Sequence, residues 1–265
     1  MGKIDFKDKW VIVTGASSGL GEAIALELAE KESANLVITA RRVERLGELK
    51  NRIENEFNRE VIVIGSDLAD PESVKNLFKK SIDKKEIFAI INNAGMTDFN
   101  PAVIEDFEKY NKIIEVNLLS LMRLSLLFLD YFGERGEGAI LNITSMGAFF
   151  PLVYQGAYVA SKHGAQVFTE ILSKENKNKN IVISSFAPGG IATEMLSSSG
   201  LDKLRGADDF FNWSAERVAA KAVKSFKKKK LLSVPGFVYK LMLFLKRFMT
   251  KKALLRMAEK TYRKK

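Results

Sequence analysis

The chain has 265 residues, of which 46% are hydrophobic and 28% charged, and this length suits one large α/β domain or two small ones. The chain has no Cys and a single His. This composition excludes a disulfide scaffold, a thiolate nucleophile and metal sites built on Cys or clustered His. The first eight residues are half charged, so no signal peptide is expected, and Lys or Arg interrupts the apolar stretches before the roughly 18 residues of a membrane span. The composition predicts a cytoplasmic, soluble body without a metal site.

The formal net charge of +10 is unevenly distributed. Residues 221–265 hold 16 Lys and Arg against one acid, Glu259, which gives +15, whereas residues 1–220 have a net charge of −5. The surplus positive charge belongs to the last 45 residues. It is therefore no argument that the protein as a whole binds nucleic acid.

Short apolar, β-branched runs alternate with stretches of helical period, a pattern typical of βαβ units in a parallel sheet. The pattern predicts a three-layer α/β doubly wound parallel sheet (a Rossmann fold) in one domain over residues 1–235. A basic, amphipathic helical extension is predicted over 236–265. The predicted strands are 10–14, 35–39, 61–66, 87–92, 139–144, 181–186 and 231–234, and the predicted helices are 19–31, 43–57, 71–82, 104–132, 156–176 and 214–227.

A glycine-rich turn with the spacing G-x-x-x-G-x-G lies between the first predicted strand and the first predicted helix. In an open α/β sheet the ligand crevice lies beyond the carboxyl ends of the strands, and glycines there let backbone N–H groups approach a pyrophosphate at a helix N-terminus. The spacing and position of these glycines predict a dinucleotide site. The alternative is a glycine-rich turn that binds no ligand. Its candidate cofactor-binding residues are Gly15, Ser17, Ser18, Gly19, Leu20 and Gly21.

The second predicted strand is followed by Arg41 and Arg42. A site that prefers NAD usually has an acid near this point to bind the 2′-hydroxyl of the ribose, whereas Arg accommodates the 2′-phosphate of NADP. No acid is present, and each guanidinium offers a fork of donors suited to phosphate. The two residues therefore predict NADP(H) as cofactor; the alternative is that they only begin a solvated helix.

A tyrosine and a lysine, Tyr158 and Lys162, are spaced one turn apart on a predicted helix, and Ser145 follows the fifth predicted strand. The i, i+4 spacing puts the phenol and the ammonium on one face of the helix. A nearby cation favours the phenolate form, which suits a general acid/base at neutral pH. Ser145 can face the same crevice, so the three residues are candidates for catalysis.

These motifs, in this order, resemble those of the short-chain dehydrogenase/reductase (SDR) family over about residues 8–235. The resemblance implies that Asp67 lies by the adenine, that Asn92 braces the sheet, and that a P-G-x-x-x-T segment from Pro188 to Thr193 clasps the nicotinamide carboxamide. The further cofactor-binding residues that it implies are Asp67, Leu68, Asn93, Ala94, Gly95, Tyr158, Lys162, Pro188, Gly189, Ile191 and Thr193.

The resemblance also implies an NADPH-dependent carbonyl reductase or alcohol dehydrogenase with four catalytic residues. Ser145 would bind the substrate oxygen, and Tyr158 would be the general acid/base. Lys162 would tune Tyr158 and bind the nicotinamide ribose, while Asn117 would hold a water that resupplies the proton. The alternative is a catalytically silent NADP-binding redox sensor or regulator, against which the intact catalytic set argues.

Apolar side chains are concentrated in residues 193–213 and in the segment after Ser145. Two apolar walls suggest a hydrophobic ketone or alcohol as substrate: lipid-like, steroid-like or long-chain 3-oxo. The alternative is that these side chains only pack a lid onto the body. The predicted helices 104–132 and 156–176 are apolar on more than one face, and the resemblance implies that they pair between subunits in a homodimer or homotetramer.

The C-terminal extension mixes bulky apolar residues with cations over 237–249 and continues as a basic stretch over 251–265. Cations beside an apolar, aromatic helix suit peripheral contact with an anionic membrane. The alternatives are burial against a partner subunit and coverage of the chain's own substrate crevice. No nucleic-acid partner is expected, because nothing resembling a recognition module accompanies the charge.

Overall fold

The structure is a computed structural model that describes residues 2–177, 179–191, 194 and 213–262. In that part of the chain seven parallel strands form one sheet in the order β3-β2-β1-β4-β5-β6-β7. The predicted doubly wound sheet is confirmed, and every predicted strand end lies within one residue of the observed end. The strands are β1 Trp10–Thr14, β2 Asn35–Ala40, β3 Val61–Gly65, β4 Ile87–Asn92, β5 Gly138–Ile143, β6 Ile181–Phe186 and β7 Leu232–Ser233.

Helices cover both faces of the sheet, and two more form the C-terminal extension. Asp70 caps the third helix by accepting from the N–H groups of Glu72 and Ser73, with Pro71 at the first helical position. The helices are α1 Gly19–Glu32, α2 Val43–Phe57, α3 Pro71–Lys84, α4 Phe107–Ile114, α5 Ser120–Arg135, α6 Gly156–Glu175, α7 Ala215–Lys227, α8 Phe237–Lys246 and α9 Lys251–Tyr262.

The prediction of one uninterrupted helix over 104–132 is wrong. A 3-10 turn at Ile104–Asp106 leads into α4, and a π turn at Glu115–Leu119 separates α4 from α5. At the end of the π turn the N–H of Ser120 donates to the carbonyl of Glu115, five residues back, so one extra residue is inserted. Apolar periodicity does not detect such an insertion, because the chain is helical on both sides of it.

The core has two layers, one on each face of the sheet. Alternate residues of a strand point to opposite faces, so Val11 and Val13 pack in the layer with α1, α2 and α7, whereas Ile12 packs in the layer with α3, α5 and α6. All five residues of β1 are buried. A strand that is covered on both faces requires such a continuous apolar run, and this is why the sequence predicts it well.

The strand order reverses between β1 and β4, which are neighbours in the sheet although they are far apart in the chain. Such a reversal opens a crevice at the carboxyl ends of the two strands. Here the two ends are tied together, because the Thr14 hydroxyl oxygen accepts hydrogen bonds from the N–H groups of Asn93 and Ala94, both at 3.0 Å. The ligand-binding site is therefore expected at the carboxyl ends of β1 and β4.

The C-terminal extension packs against the carboxyl-end side of the sheet. Buried side chains of α8 and α9, Tyr239 and Leu254, share an apolar cluster with Met146 and Phe150 of the segment after β5. The partly buried Met242 packs against the same cluster. The division at residue 235 remains a prediction, while these contacts connect the extension to the body at the mouth of the crevice.

Candidate active site

A cavity of about 700 Å³ lies at the carboxyl ends of the strands. Its walls come from the loops after β1 to β6 and from the helices α6 and α8. Among the predicted site residues, Thr193 lies outside the described residues, and Asn117 does not line the cavity. The predicted residues that do line it are Gly15, Ser17, Ser18, Gly19, Leu20, Gly21, Arg41, Arg42, Asp67, Leu68, Asn93, Ala94, Gly95, Ser145, Tyr158, Lys162, Pro188, Gly189 and Ile191.

The glycine-rich turn is too tightly packed to hold side chains at two of its glycines. Gly15 has φ +68°, and a Cβ there would lie 2.8 Å from Cα of Ala94. A Cβ at Gly21 would overlap the carbonyl oxygen of Gly15 and lie 2.5 Å from Nδ2 of Asn93. The turn thus brings the first N–H groups of α1 to the cavity wall, in the arrangement that accepts a pyrophosphate. The residues present fit a dinucleotide.

The end of β2 and the first turn of α2 supply a cluster of guanidinium groups. Arg42 donates through Nη2 to Ser18 Oγ at 2.7 Å and through Nη1 to Glu194 Oε2 at 2.9 Å. Arg45 donates through Nη1 to the other oxygen of Glu194, at 2.6 Å. These hydrogen bonds, Arg45 first, lower the pKa of Glu194 to about 2. Our sequence reasoning found Arg41 and Arg42 but missed Arg45 and Glu194.

Buried amides join the strand ends beneath the cavity. Asn92 of β4 donates through Nδ2 to Asn142 Oδ1 of β5 at 2.8 Å. Asn142 in turn donates through Nδ2 to the hydroxyl of Thr169 on α6, at 2.9 Å. Both asparagines are buried, so the bonds hold β4, β5 and α6 in a fixed relation. The bracing that the resemblance implies for Asn92 matches this contact.

The candidate catalytic hydroxyls converge beside Gly147. Ser145 follows β5, and its Oγ accepts from the N–H of Gly147 at 3.0 Å. Tyr158 lies in the first turn of α6, and its Cε1 would be 3.2 Å from a Cβ built on Gly147, while Ser145 Oγ would be 3.4 Å from it. The serine hydroxyl and the tyrosine ring therefore face the same small volume of the cavity.

Lys162 lies one turn beyond Tyr158 on α6 and is buried. Its Nζ donates to the carbonyl oxygen of Ile143, the last residue of β5, at 3.0 Å. Burial lowers the pKa of Lys162 to about 8, because desolvation disfavours the charged form. The ammonium is thus held at the strand end that also leads to Ser145.

Asn117 lies in the π turn, behind the cavity wall. Its Oδ1 accepts from the N–H of Met96 at 2.7 Å, and its Nδ2 donates to the carbonyl of Met96 at 2.8 Å and to Ser161 Oγ at 3.0 Å. Ser161 Oγ donates to the carbonyl of Tyr158 at 2.7 Å. The side chain therefore connects a cavity-lining loop to α6, and the water-holding role remains a prediction.

Besides Glu194, the lining residues that our sequence reasoning about the site missed include Thr97, Gln155, Tyr239 and Met242. Tyr239 and Met242 come from α8, which agrees with the alternative that the extension covers the chain's own crevice. Their i, i+3 spacing marks one face of a helix. That spacing could have identified the face, but not what the face packs against.

A doubly wound sheet with a glycine-rich turn at its switch point defines a dinucleotide-binding protein. A sequence model described as short chain dehydrogenase matches residues 9–203. The chain belongs to the short-chain dehydrogenase family. Proteins of this family are typically oxidoreductases that act on CH–OH groups with a nicotinamide cofactor.

Curated relatives match most of the chain. A very-long-chain 3-oxoacyl-CoA reductase of Anas platyrhynchos is 32% identical over 200 residues, which cover 73% of this chain and 64% of that protein. The 17-beta-hydroxysteroid dehydrogenase type 3 of Homo sapiens is 30% identical over 213 residues, which cover 79% of this chain and 68% of that protein. The chain thus spans less than two thirds of the length of the first of these relatives.

Solved structures extend the similarity to nearly the whole chain. The short-chain dehydrogenase from Sphingobium yanoikuyae, solved in complex with NADPH, has a TM-score of 0.80 at 25% identity. The match covers 92% of this chain and 97% of that one. The similarity of fold therefore extends over most of the chain.

Proposed function

We propose that this protein is an NADPH-dependent carbonyl reductase, or in the reverse direction an alcohol dehydrogenase, that acts on a hydrophobic ketone or alcohol. The observation that carries the proposal is that Ser145, Tyr158 and Lys162 line the same cavity as the glycine-rich turn. The relatives named as a 3-oxoacyl-CoA reductase and a hydroxysteroid dehydrogenase support a lipid-like, steroid-like or long-chain 3-oxo substrate.

The cofactor would be held by the residues of the turn and by the end of β2. The N–H groups at the start of α1 would bind the pyrophosphate, and Arg41 and Arg42 would bind the 2′-phosphate that distinguishes NADP from NAD. Asp67 would lie by the adenine. When bound, the cofactor supplies a hydride for the carbonyl carbon.

Residues of the chain would bind the carbonyl oxygen of the substrate and supply the proton that it takes up. Ser145 donates a hydrogen bond to the carbonyl oxygen of the substrate, and Tyr158 donates its proton to that oxygen as negative charge develops there. The positive charge of Lys162 stabilises the phenolate left on Tyr158. Asn117 holds the loop and the helix that carry these groups in place.

The wall around the reacting groups favours an apolar substrate. Met146 and Phe150 line the cavity from the segment after β5, and Leu152 and Met242 line it as well. A carbonyl held near Ser145 would therefore have hydrocarbon around it, which suits a long-chain or polycyclic ketone. The apolar residues expected in the lid at 195–211 lie outside the described residues.

Absorbance at the reduced-nicotinamide band, followed over a panel of carbonyl compounds with NADPH and with NADH, tests the proposal. We expect oxidation of NADPH with long-chain or steroid-like ketones and little with small polar ones. The control is Tyr158→Phe, which keeps the ring and removes the acid, and turnover should fall at least ~100-fold while NADPH still binds. Wild-type turnover in that variant would refute the mechanism, and preference for NADH would refute the cofactor assignment.

The second part of the proposal concerns the outer face of α8, which supports peripheral contact with an anionic membrane. Phe237 is 79% exposed and Phe248, just after the helix, is 75% exposed, and Leu241 and Phe244 are half-exposed on the same segment. Lys240, Lys246 and Arg247 lie among them. Apolar side chains beside cations suit insertion at the boundary between headgroups and acyl chains. Among the described residues, no helix is long and apolar enough to cross a bilayer.

Sedimentation with vesicles tests this contact. Phe237→Glu should reduce binding to vesicles that contain anionic lipid by about tenfold or more, since an aromatic side chain that would insert into the lipid is replaced by a negative charge, which the anionic lipid repels. Ile104→Glu is the matched control, because Ile104 is 76% exposed and lies outside the C-terminal extension. Equal binding by the two variants would reject the membrane contact.

A homo-oligomer is supported by apolar side chains on the outer sides of α5 and α6. Leu126, Val167 and Ile171 are about half-exposed, although they lie on helices whose other sides are buried in the core. Burial of these residues against a second copy would remove them from water. Light scattering of the wild type and of Val167→Glu tests this: the wild type should be a dimer or tetramer, and the variant should dissociate. A monomeric wild type would reject it.

A further inference from the structure

We infer that Tyr239, in the C-terminal extension, is a positioning residue for the turn at residues 188–190. The inference rests on the proposed function, because that turn is where the nicotinamide end of the cofactor would bind. It concerns a residue beyond the 9–203 segment that the family model matches. The extension would therefore complete the cofactor site as well as wall off the substrate.

Tyr239 touches the turn through both its ring and its hydroxyl. The ring lies so close to Gly189 that a Cβ at that glycine would overlap Cζ and Oη of the tyrosine. The hydroxyl oxygen of Tyr239 accepts a hydrogen bond from the N–H of Gly190 at 3.2 Å. Tyr239 is only 9% exposed, so water has little access to this N–H and the phenol is its partner.

The other side of the turn is attached to the catalytic segment. The carbonyl of Pro188 accepts from the N–H of Met146 at 2.8 Å, and Met146 directly follows Ser145. The turn is thus held between the segment that carries the candidate catalytic serine and the ring of Tyr239. A shift of the tyrosine would move the turn relative to the serine.

The position of Tyr239 is itself set by packing. Gly236, which precedes α8, has φ +94°, and a Cβ there would lie 3.1 Å from the ring of Trp213 and 3.4 Å from Tyr239 Cδ2. Met242, three residues further along α8, packs with Met146 and Phe150. The helix therefore enters the cavity wall at a defined place, as a positioning role requires.

Binding of cofactor and of a cofactor fragment tests the inference without any need for turnover. NADPH binding is followed by nicotinamide fluorescence, and binding of 2′-phospho-ADP-ribose, which lacks the nicotinamide, by calorimetry. In Tyr239→Phe the N–H of Gly190 loses its partner, and we expect the Kd for NADPH to rise about tenfold with no change for the fragment. Phe237→Ala, on the same helix but facing outward, is the control and should bind both ligands like the wild type.

A double-mutant cycle tests the ring contact. Gly189→Ala alone should weaken NADPH binding severely, because its methyl group needs the space of the Tyr239 ring. In the Tyr239→Ala background that space is free, so the same substitution should have a much smaller effect, and the two effects should not add. Equal effects of Gly189→Ala in both backgrounds would overturn the contact.

The outcomes separate this inference from the proposed function. If no carbonyl compound is reduced by the wild type, the proposed function fails, while the binding comparison still decides the role of Tyr239. If Tyr239→Phe binds NADPH like the wild type, or loses NADPH and the fragment equally, the inference is overturned. The melting temperature of each variant is measured in parallel. If Tyr239→Ala does not fold, the NADPH binding of Tyr239→Phe alone decides whether Tyr239 positions the turn.

Discussion

Lys162 donates a hydrogen bond through Nζ to the carbonyl oxygen of Ile143 at 3.0 Å, although the lysine is only 4% exposed. Ile143 ends β5 two residues before Ser145. The bond anchors the ammonium next to the catalytic segment, and burial at the same time lowers the pKa of Lys162 to about 8. The charge on which the proposed mechanism depends is therefore lost not far above neutral pH.

We expect carbonyl reduction to decline above about pH 8. Below that pH Lys162 is protonated, and its charge stabilises the phenolate that Tyr158 becomes when it gives up its proton; above that pH the charge is lost. The measurement is the pH profile of kcat/KM for NADPH. In Lys162→Arg the cation persists at high pH, so the basic limb should move upward by at least about one pH unit, even if the rate is lower. If the basic limb of the profile does not move in this variant, the limb reports the titration of a group other than Lys162.

Glu194 is expected to weaken NADPH binding. Its carboxylate pairs with Arg42 and Arg45, the guanidinium cluster at the end of β2 that we propose for the 2′-phosphate. Glu194→Gln removes the competing charge, so the Kd for NADPH should fall by about two- to tenfold, with a smaller change for NADH. Glu44→Gln, in the first turn of α2, is the control. Equal changes for the two cofactors would place the 2′-phosphate elsewhere.

Gly21→Ala is expected to abolish dinucleotide binding and to destabilise the protein, because its Cβ would meet the backbone of Gly15 and the amide of Asn93. Gly47→Ala is the matched control. It lies inside α2 with nothing within 4 Å of the added Cβ, and it should stabilise the protein by about 0.5–1 kcal/mol. Urea unfolding and NADPH titration of both variants measure the effects. Normal NADPH binding by Gly21→Ala would contradict the described packing of the turn.

Asn117→Leu is expected to lower stability by about 2–4 kcal/mol, because it leaves both backbone groups of the partly buried Met96 without their side-chain partner. Ser161→Ala removes only one of the partners of Asn117 and should cost about 1 kcal/mol. Denaturant unfolding compares the two. A loss of activity without a loss of stability in Asn117→Leu would favour the water-holding role over the bracing that we describe.

The sequence was sufficient wherever the determining contacts are local or periodic. The buried run Trp10–Thr14 predicts a central parallel strand, because a strand covered on both faces must be apolar throughout. The turn from Gly15 to Gly21 and the pair Tyr158 and Lys162 were predictable because spacing within one turn or one helix sets which groups share a side. Ser145 was placed at the same crevice because it follows the end of a strand, and the family resemblance added Asp67.

Only the tertiary structure decided what distant segments contribute to the cavity. Arg45 and Glu194 are 149 residues apart in the chain, and Gly190 and Tyr239 are 49 apart. The π turn at Glu115–Leu119 likewise leaves no mark on apolar periodicity. Periodicity determines which face of an element is buried, whereas the partner of that face depends on how all the layers pack together. For this reason α8 could be recognised as amphipathic from its residues, but its place in the cavity wall could not.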